Sequence, residues 1–422
     1  MTDIQTQLIE VSQLRVGMFI YLDIGWMAHP FPVNSFEIRS EAQIATIRSL
    51  GLDRVRYAPG KSTQETPSAE VIASNVVPIV PEPKAKAEKS RRELLAEQNA
   101  SLMLCEKQFG QASQSFRDIT EQVHSRPENA KAESVQLITG LLNEILGEDE
   151  ATIRLLSENS GEKTSLHSIN VTLISLLLGK AMHLSKPDML ELGVGALLHD
   201  IGKLELPDRM RWQDDAFSHA ERQLYQSHVA QGVMLARKMA LSPMATLLVA
   251  QHHEHADGSG YPSGISEDKL SPLARIVALV NRYDNLCNPG NPSTAITPHE
   301  ALSLLFAQNK SQFHIPTITA FIRMMGIYPP GSVVQLNDDR YAIVVSVNST
   351  RPIKPKIIIY DHAIARDEAL IVNLEIEKHL GIRRSLKPLQ LPKAAYDYLS
   401  PRRRLCYFFE RGGDTKSAPV TL

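Results

Sequence analysis

Two stretches decide how this chain is read: His199-Asp200-Ile201-Gly202-Lys203, and His252-His253-Glu254-His255-Ala256-Asp257-Gly258-Ser259-Gly260-Tyr261-Pro262. Each brings two metal-ligating side chains to one point of the backbone. Eight of the 14 histidines (His167, His183, His199, His219, His228, His252, His253 and His255) fall in this part of the chain, and imidazole is the commonest transition-metal ligand among side chains. The surrounding periodicity is helical. Leu166, Ile169, Leu173 and Leu177, flanked by Val171, Ile174 and Leu178, predict a helix buried on much of its circumference. Ser218 with Glu221, Ser242 with Pro243, Ser271 with Pro272, and Thr297 with Pro298 and Glu300 mark further helix starts. His167 then sits early in the buried helix, and His199-Asp200 end the helix from Met189. His228 lies mid-helix after the Ser218 cap, on a stripe with Leu224 and Gly232, and His252-His253 end the helix capped by Ser242. Four helices thus deliver imidazole to one core, the setting in which two-metal sites are built. His183, His219 and His255 have no comparable placement and are read as incidental.

Outward from this bundle the chain changes character. Residues 8–62 read as a small α+β domain: Gly17 to Asp23 and Arg54 to Ala58 suit strands, and Ser40 with Gln43 caps a helix ending near Gly51. Residues 63–89 are rich in Pro, Ser, Lys and Glu and read as an extended linker. A capping box at Ser90 and Glu93 opens a connecting helical segment over 90–133, with an interruption near Gly110. The helical bundle occupies 134–330. A β-rich extension, read as a small antiparallel meander, covers 331–400, and a polar tail covers 401–422.

Composition narrows the function classes. Lys+Arg (45) and Asp+Glu (47) nearly cancel to a formal charge of -2, which gives no footing for binding a nucleic-acid polymer by bulk charge. Cys105, Cys287 and Cys406 include no CxxC pair, so neither a disulfide framework nor a thiolate zinc site is expected, and a reducing, cytoplasmic setting fits. No export signal or membrane segment is read from the sequence. A homodimer is left open.

The spacing of His167, His-Asp-Ile-Gly-Lys, His228 and the eleven-residue string ending in Gly-Tyr-Pro resembles the HD-GYP family of bacterial cyclic di-GMP phosphodiesterases. Residues 8–60 also resemble a short domain of unknown function often found upstream of that family. The resemblance implies a mainly α HD-type helical bundle, with the small α+β domain before it and the β meander after it. Position by position it implies that His167, His199, Asp200, His228, His252 and His253 hold two divalent transition metals, iron or manganese foremost and zinc as a further candidate, with Asp200 bridging. The implied reaction is hydrolysis of cyclic di-GMP to linear pGpG, and onward to GMP in some members. Asp200 and Lys203 carry catalytic roles, Lys203 by placing a cation on a phosphate oxygen. Gly258, Gly260, Tyr261 and Pro262 edge the substrate, and the same loop is implicated in contacts with diguanylate cyclase domains or other signalling proteins.

This chain departs from the pattern in three places. Asn281 stands where the family's last metal ligand is Asp, removing one negative charge, and Asp284 one turn on is not the usual ligand. The segment Cys287-Asn288-Pro289-Gly290-Asn291-Pro292-Ser293 contains no basic residue where the family commonly has an Arg-Pro-Tyr substrate grip. Lys163 stands where some members add a Glu for a third metal. These departures favour a rival reading, a catalytically weak or silent sensor that binds cyclic di-GMP or metal and signals through protein partners. A phosphohydrolase for another nucleotide is a third.

Overall fold

The computed structural model describes residues 6–22, 35–50, 52, 54–62, 90–147, 151–157, 163–214, 216–348, 354–402 and 404–411. The expected linker over 63–89 and the last residues of the expected tail, 412–422, lie outside them. The chain divides into two units, Met1–Ala87 and Glu88–Leu422. Among the described residues no helix is long and apolar enough to cross a membrane.

In the first unit Gln7–Glu10 (β1), Phe19–Tyr21 (β2), Ser35–Glu37 (β3) and Arg54–Tyr57 (β4) form an antiparallel sheet in the order β1-β4-β2-β3, with the helix Glu41–Ser49 (α1) between β3 and β4 in sequence. Ser40 Oγ accepts from Gln43 N, and the Gln43 side chain accepts from Arg39 N at 2.6 Å, so the cap read from sequence forms. Ile20, Ile38, Ile44, Ile47 and Val55 make the core.

The second unit is mainly helical. Arg91–Gln122 (α2) and Pro127–Ile145 (α3) lead through the strand Ala151–Leu155 (β5) to Lys163–Ala181 (α4), Lys186–Leu198 (α5), His219–Gln226 (α6), His228–Lys238 (α7), Pro243–Gln251 (α8), Pro272–Cys287 (α9), Pro298–Ala307 (α10) and Ile315–Met325 (α11). Helix α4 is the buried centre, packed by α2, α5, α9 and α11, and its described side chains from Ser165 to Gly179 are buried on every face. Helix α2 runs through Gly110 without the expected interruption. That glycine lies on an open face while Phe109, Ala112 and Phe116 bury the other, so packing offsets the roughly 1 kcal/mol helix cost of glycine.

The helix after Ser218 also differs from expectation. It breaks at Ser227, so His228 begins α7 instead of lying mid-helix, and Leu224 is exposed while His228 is buried. The cause is local: Ser227 Oγ donates to Leu224 O and His228 Nδ1 donates to Tyr225 O, so two side chains compete for helical carbonyls.

The C-terminal part contains Val333–Leu336 (β6), Tyr341–Asn348 (β7), Lys356–Ile359 (β8), Val372–Asn373 (β9), Ile382–Leu386 (β10), Lys393–Leu399 (α12) and Tyr407–Arg411 (β11). Strands β6 to β9 form the expected meander, yet the described sheet is larger, with the order β10-β6-β7-β5-β11 and β8 and β9 branching from β7. Two strands come from outside the stretch read as β. Strand β5 lies within the segment read as helix, and β11 within the segment read as polar tail. Both are five residues long and carry a charge, Arg154 or Glu410, that masks alternation. Their pairing brings those charges together, with Arg154 Nη1 3.1 Å from Glu410 Oε1 and the side chains 4% and 2% exposed. Ser101 Oγ of α2 donates to the same carboxylate.

One close approach places the His-Asp turn against His228. After α5 the backbone turns into a short 3-10 helix, Ile201–Glu205, whose Gly202 lies directly against α7. A Cβ there would meet His228 O, Gly232 N and Gly232 Cα, all backbone atoms that cannot yield. Gly202→Ala is therefore expected to lower stability by more than about 3 kcal/mol, read as a reduced urea midpoint with unchanged slope.

Candidate metal centre

The helices deliver imidazole by a repeated device. His199 and His252 cap α5 and α8, and His228 begins α7; in each, Nδ1 meets the carbonyl three residues earlier: Ala196 O at 2.7 Å, Val249 O at 2.8 Å and Tyr225 O at 2.6 Å. A carbonyl only accepts, so each Nδ1 carries the proton and each Nε2 presents a lone pair. His167, on the first turns of α4, has Nδ1 on Asp284 Oδ2 at 2.6 Å. All four rings thus have their outer nitrogen tied and their inner nitrogen turned toward the centre, the arrangement that fixes ring plane at metal sites.

The inner nitrogens converge on Asp200, the residue after α5. Asp200 Oδ2 lies 3.4 Å from both His167 Nε2 and His199 Nε2, and Oδ1 lies 3.4 Å from His228 Nε2 and 3.5 Å from His252 Nε2. Ligand atoms of His167, His199 and Asp200 lie within 4.8 Å of one another, as do those of Asp200, His228, His252 and His253. Asp200 Oδ1 and His253 Nε2 are buried without a hydrogen-bond partner. His228 Nε2 and His252 Nε2 face each other at 3.2 Å with both Nδ1 atoms already bonded to backbone carbonyls. Ligand atoms about 2.0–2.1 Å from one tetrahedral ion stand about 3.3–3.4 Å apart, so these separations suit a cation. The donor set, imidazole and carboxylate with no sulfur, fits zinc, iron or manganese.

Electrostatics agree. Burial drives His252 down to about 3, holds His253 well below the usual imidazole value and lowers His199, leaving three neutral ligands. Burial opposes charge on Asp200 too, but the Lys203 ammonium and the nearby imidazoles hold its carboxyl well below the usual carboxylate range. Burial likewise opposes a proton on His167, yet Asp200 and Asp284 outweigh it and raise that imidazole to about 9. His199, only 3.2 Å away between Nε2 atoms, stays neutral because it has a carbonyl behind it where His167 has a carboxylate.

Lys203 Nζ lies 2.6 Å from Asp200 Oδ2 and over the rings of Tyr225 (5.3 Å) and Trp212 (5.9 Å). A small cavity beside it is lined by His167, Asp200, Lys203, Arg211 and Trp212 together with Phe116 and Thr120 of α2. The Gly-Tyr-Pro loop packs against the histidines: Tyr261 stacks on His253 (centroids 4.5 Å apart, 20° between planes) and Tyr261 N donates to His253 O at 3.1 Å. Gly260 sits where a Cβ would meet the His253–His255 backbone, and Gly258 has a positive φ of 76°. Buried Glu254 accepts from Ser263 N at 2.7 Å and Ile265 N at 3.1 Å, tying down the loop, while Pro262 is exposed.

Asn281 is buried on α9, and its Oδ1 accepts from Asn285 Nδ2 at 2.7 Å. The carboxylate that meets the cluster from α9 is Asp284. Its Oδ1 accepts from Asn170 Nδ2 (2.8 Å) and Asn288 Nδ2 (2.9 Å), and both amides also donate to Leu405 O. Asn288 Oδ1 accepts from Leu405 N and Asn170 Oδ1 from Tyr407 N, so the C-terminal strand helps hold the carboxylate that orients His167. Sequence reasoning missed Asp284 in this role, along with Asn170, Asn288, Glu254, Arg211 and Trp212. The available signal was spacing: Asn170 follows His167 by three residues, and Asn288 follows Asp284 by four. Of the histidines read as incidental, His183 and His219 are exposed, and His255 contacts Ser259 and Phe313.

Three family models match the chain: an HD domain over residues 150–315, a domain of unknown function (DUF3391) over 6–133 and a KOW domain associated with the HD domain over 333–394. A cyclic di-GMP phosphodiesterase of Pseudomonas aeruginosa is 28% identical over 358 residues, 83% of this chain and 84% of that protein. A cyclic di-GMP phosphodiesterase of Borreliella burgdorferi is 24% identical over 46% of this chain and 51% of its own length. A 3'3'-cGAMP-specific phosphodiesterase of Vibrio cholerae is 32% identical over 34% of this chain and 31% of its own length.

Because His167 in the metal-free protein is held at about 9, above the ordinary 6.5, its proton stabilises the fold fully below pH 6.5, and that contribution is lost as pH rises toward 9. A cation entering there must displace that proton. Calorimetry in buffers of different ionisation enthalpy should show close to one proton released per ion bound at this half of the centre near pH 7.5, and apparent affinity should rise with pH up to about 9.

Proposed function

We infer that this chain, which carries an HD domain and resembles the HD-GYP phosphodiesterases, is a metal-dependent phosphodiesterase that opens cyclic di-GMP to linear pGpG. The observation that carries the reading is one buried carboxylate, Asp200, with imidazole nitrogens on both of its oxygens. His167, His199, Asp200, His228, His252 and His253 would hold divalent metal, with iron or manganese suiting the N/O donors. When bound, such ions supply a nucleophilic hydroxide near neutral pH and neutralise charge on the phosphoryl oxygens.

The chain's own residues do the rest. Asp200 is shared between the two ligand groups, and the fixed Nδ1 contacts keep each Nε2 directed inward. Lys203 sits at the cavity and would transfer its ammonium from Asp200 to a non-bridging phosphate oxygen of the substrate. Arg211 and Trp212 border the same cavity and bring a guanidinium and an indole to the side where the family's usual basic segment is replaced. A Cβ at Gly290 of that segment would contact Trp212, so the replacement segment seats the indole. Tyr261 acts mainly on His253, and Gly258, Gly260 and Pro262 shape the loop that holds it. The outer surface of that loop is where a signalling protein would touch this centre.

A second reading, a sensor with little turnover, is favoured by Asn281. The two separate in one experiment on protein loaded with iron or manganese. Turnover of cyclic di-GMP that falls at least about 100-fold in His199→Ala supports the enzyme. Retained nucleotide binding without turnover in the parent, with turnover appearing in Asn281→Asp, would establish the sensor.

A further inference from the structure

The two ligand groups that share Asp200 are not equivalent. On the Oδ1 side stand three imidazoles, His228, His252 and His253, so that with the carboxylate oxygen the group has four donors, a full tetrahedral set or the larger part of an octahedral one. Its atoms are also the unsatisfied ones: Oδ1 and His253 Nε2 are buried without a partner, whereas the facing Nε2 pairs, His228 with His252 and His167 with His199, are equally close at 3.2 Å. A cation entering there would satisfy both buried atoms at once.

On the Oδ2 side stand two imidazoles, His167 and His199. Oδ2 itself already receives the Lys203 ammonium at 2.6 Å, within a side chain only 13% exposed. Asp284 lends its charge only from behind His167 and offers no ligand atom, since its Oδ2 is on His167 Nδ1 and its Oδ1 on Asn170 and Asn288. Asn281 brings no charge, and its oxygen accepts from Asn285. A second cation here would meet fewer donors, no further ligating carboxylate among the described residues and a fixed positive charge on the oxygen it must share. Like charges so close in a site of low polarity repel strongly.

We propose that the centre is asymmetric: the pocket of His228, His252, His253 and Asp200 Oδ1 holds a divalent transition metal by itself, whereas the pocket of His167, His199 and Asp200 Oδ2 takes a second ion at least about 100-fold more weakly, with Lys203 standing in as the second cation at rest. This rests on the reading of the cluster as a metal centre. Asn281, one turn before Asp284 on α9, belongs with the His167 half of the site on this reading, and Lys203 is a competitor for that half as well as a phosphate ligand. Weak occupancy of the second pocket would let substrate phosphate, by drawing Lys203 away from Oδ2, favour entry of the second ion.

The test uses the full-length metal-free chain titrated with Mn(II), with elemental analysis after dialysis and the electron paramagnetic resonance spectrum as readouts. The parent is expected to retain about one ion per chain with a single-ion spectrum. Asn281→Asp and Lys203→Met should each raise retention toward two ions and introduce the spectrum of an exchange-coupled pair. His253→Ala should lose the tight ion, whereas His199→Ala should keep it, with thermal unfolding confirming that each variant is folded. His253→Gln provides a second test if the alanine variant fails to fold. Two ions of equal affinity in the parent, or a tight ion that survives in the His253 variants and disappears in His199→Ala, overturns the asymmetry and leaves the phosphodiesterase reading standing. No ion bound by the parent under any loading overturns both.

Discussion

Asp200 is an ionised carboxylate placed where water scarcely reaches, its side chain 9% exposed. Removing such a charge from water costs several kcal/mol unless partners compensate. Lys203 and the four ring nitrogens around it supply that compensation, and much of the bundle can be read as the means of bringing them there. Helices α5, α7 and α8 reach Asp200 with their histidines at a terminus, where a ring can bond a carbonyl of its own segment and still point inward, while His167 of α4 uses Asp284 for its outer nitrogen. The contact of Gly202 with α7 then sets the distance between the His-Asp turn and His228. A bundle of regular helices alone would not do this, since mid-helix side chains have no carbonyl to spare for the outer nitrogen.

The same demand extends outward through Asp284. A carboxylate behind His167 must itself be satisfied, and Asn170 and Asn288 do so while also reading the backbone at Leu405 and Tyr407. The C-terminal strand is therefore continuous with the site, and its own anchor is the buried Arg154–Glu410 pair on β5 and β11. Breaking a buried pair of this kind by removing one partner leaves an uncompensated charge, which typically costs about 3–5 kcal/mol. The extension after the bundle and the metal-ligating helices consequently form one cooperative structure within the second unit.

Particular residues show how far the sequence could be read. The bundle was legible because α4 and its neighbours keep helical periodicity over many residues and open with Ser or Thr caps. The histidine set was legible because adjacent ligands and a Gly-Tyr-Pro string at that spacing rarely occur together by chance. The break at Ser227 was not, since it depends on two side chains choosing backbone carbonyls over solvent. Strands β5 and β11 were not, since five residues that include a charge carry too little pattern, and the two strands lie about 250 residues apart.

By itself, then, the sequence determined the helical fold, the presence of β structure at either end, and which side chains are chemically able to ligate, because composition and local periodicity are properties of neighbouring residues. Tertiary structure alone decided that Asp200 divides its two oxygens between unequal sets of imidazoles, that Lys203 rests on the oxygen of the poorer set, and that Asp284 serves by orienting His167. Those are relations between helices distant in the chain. Only packing sets them, because a pairing energy between buried charges depends on separations and desolvation that no stretch of sequence contains.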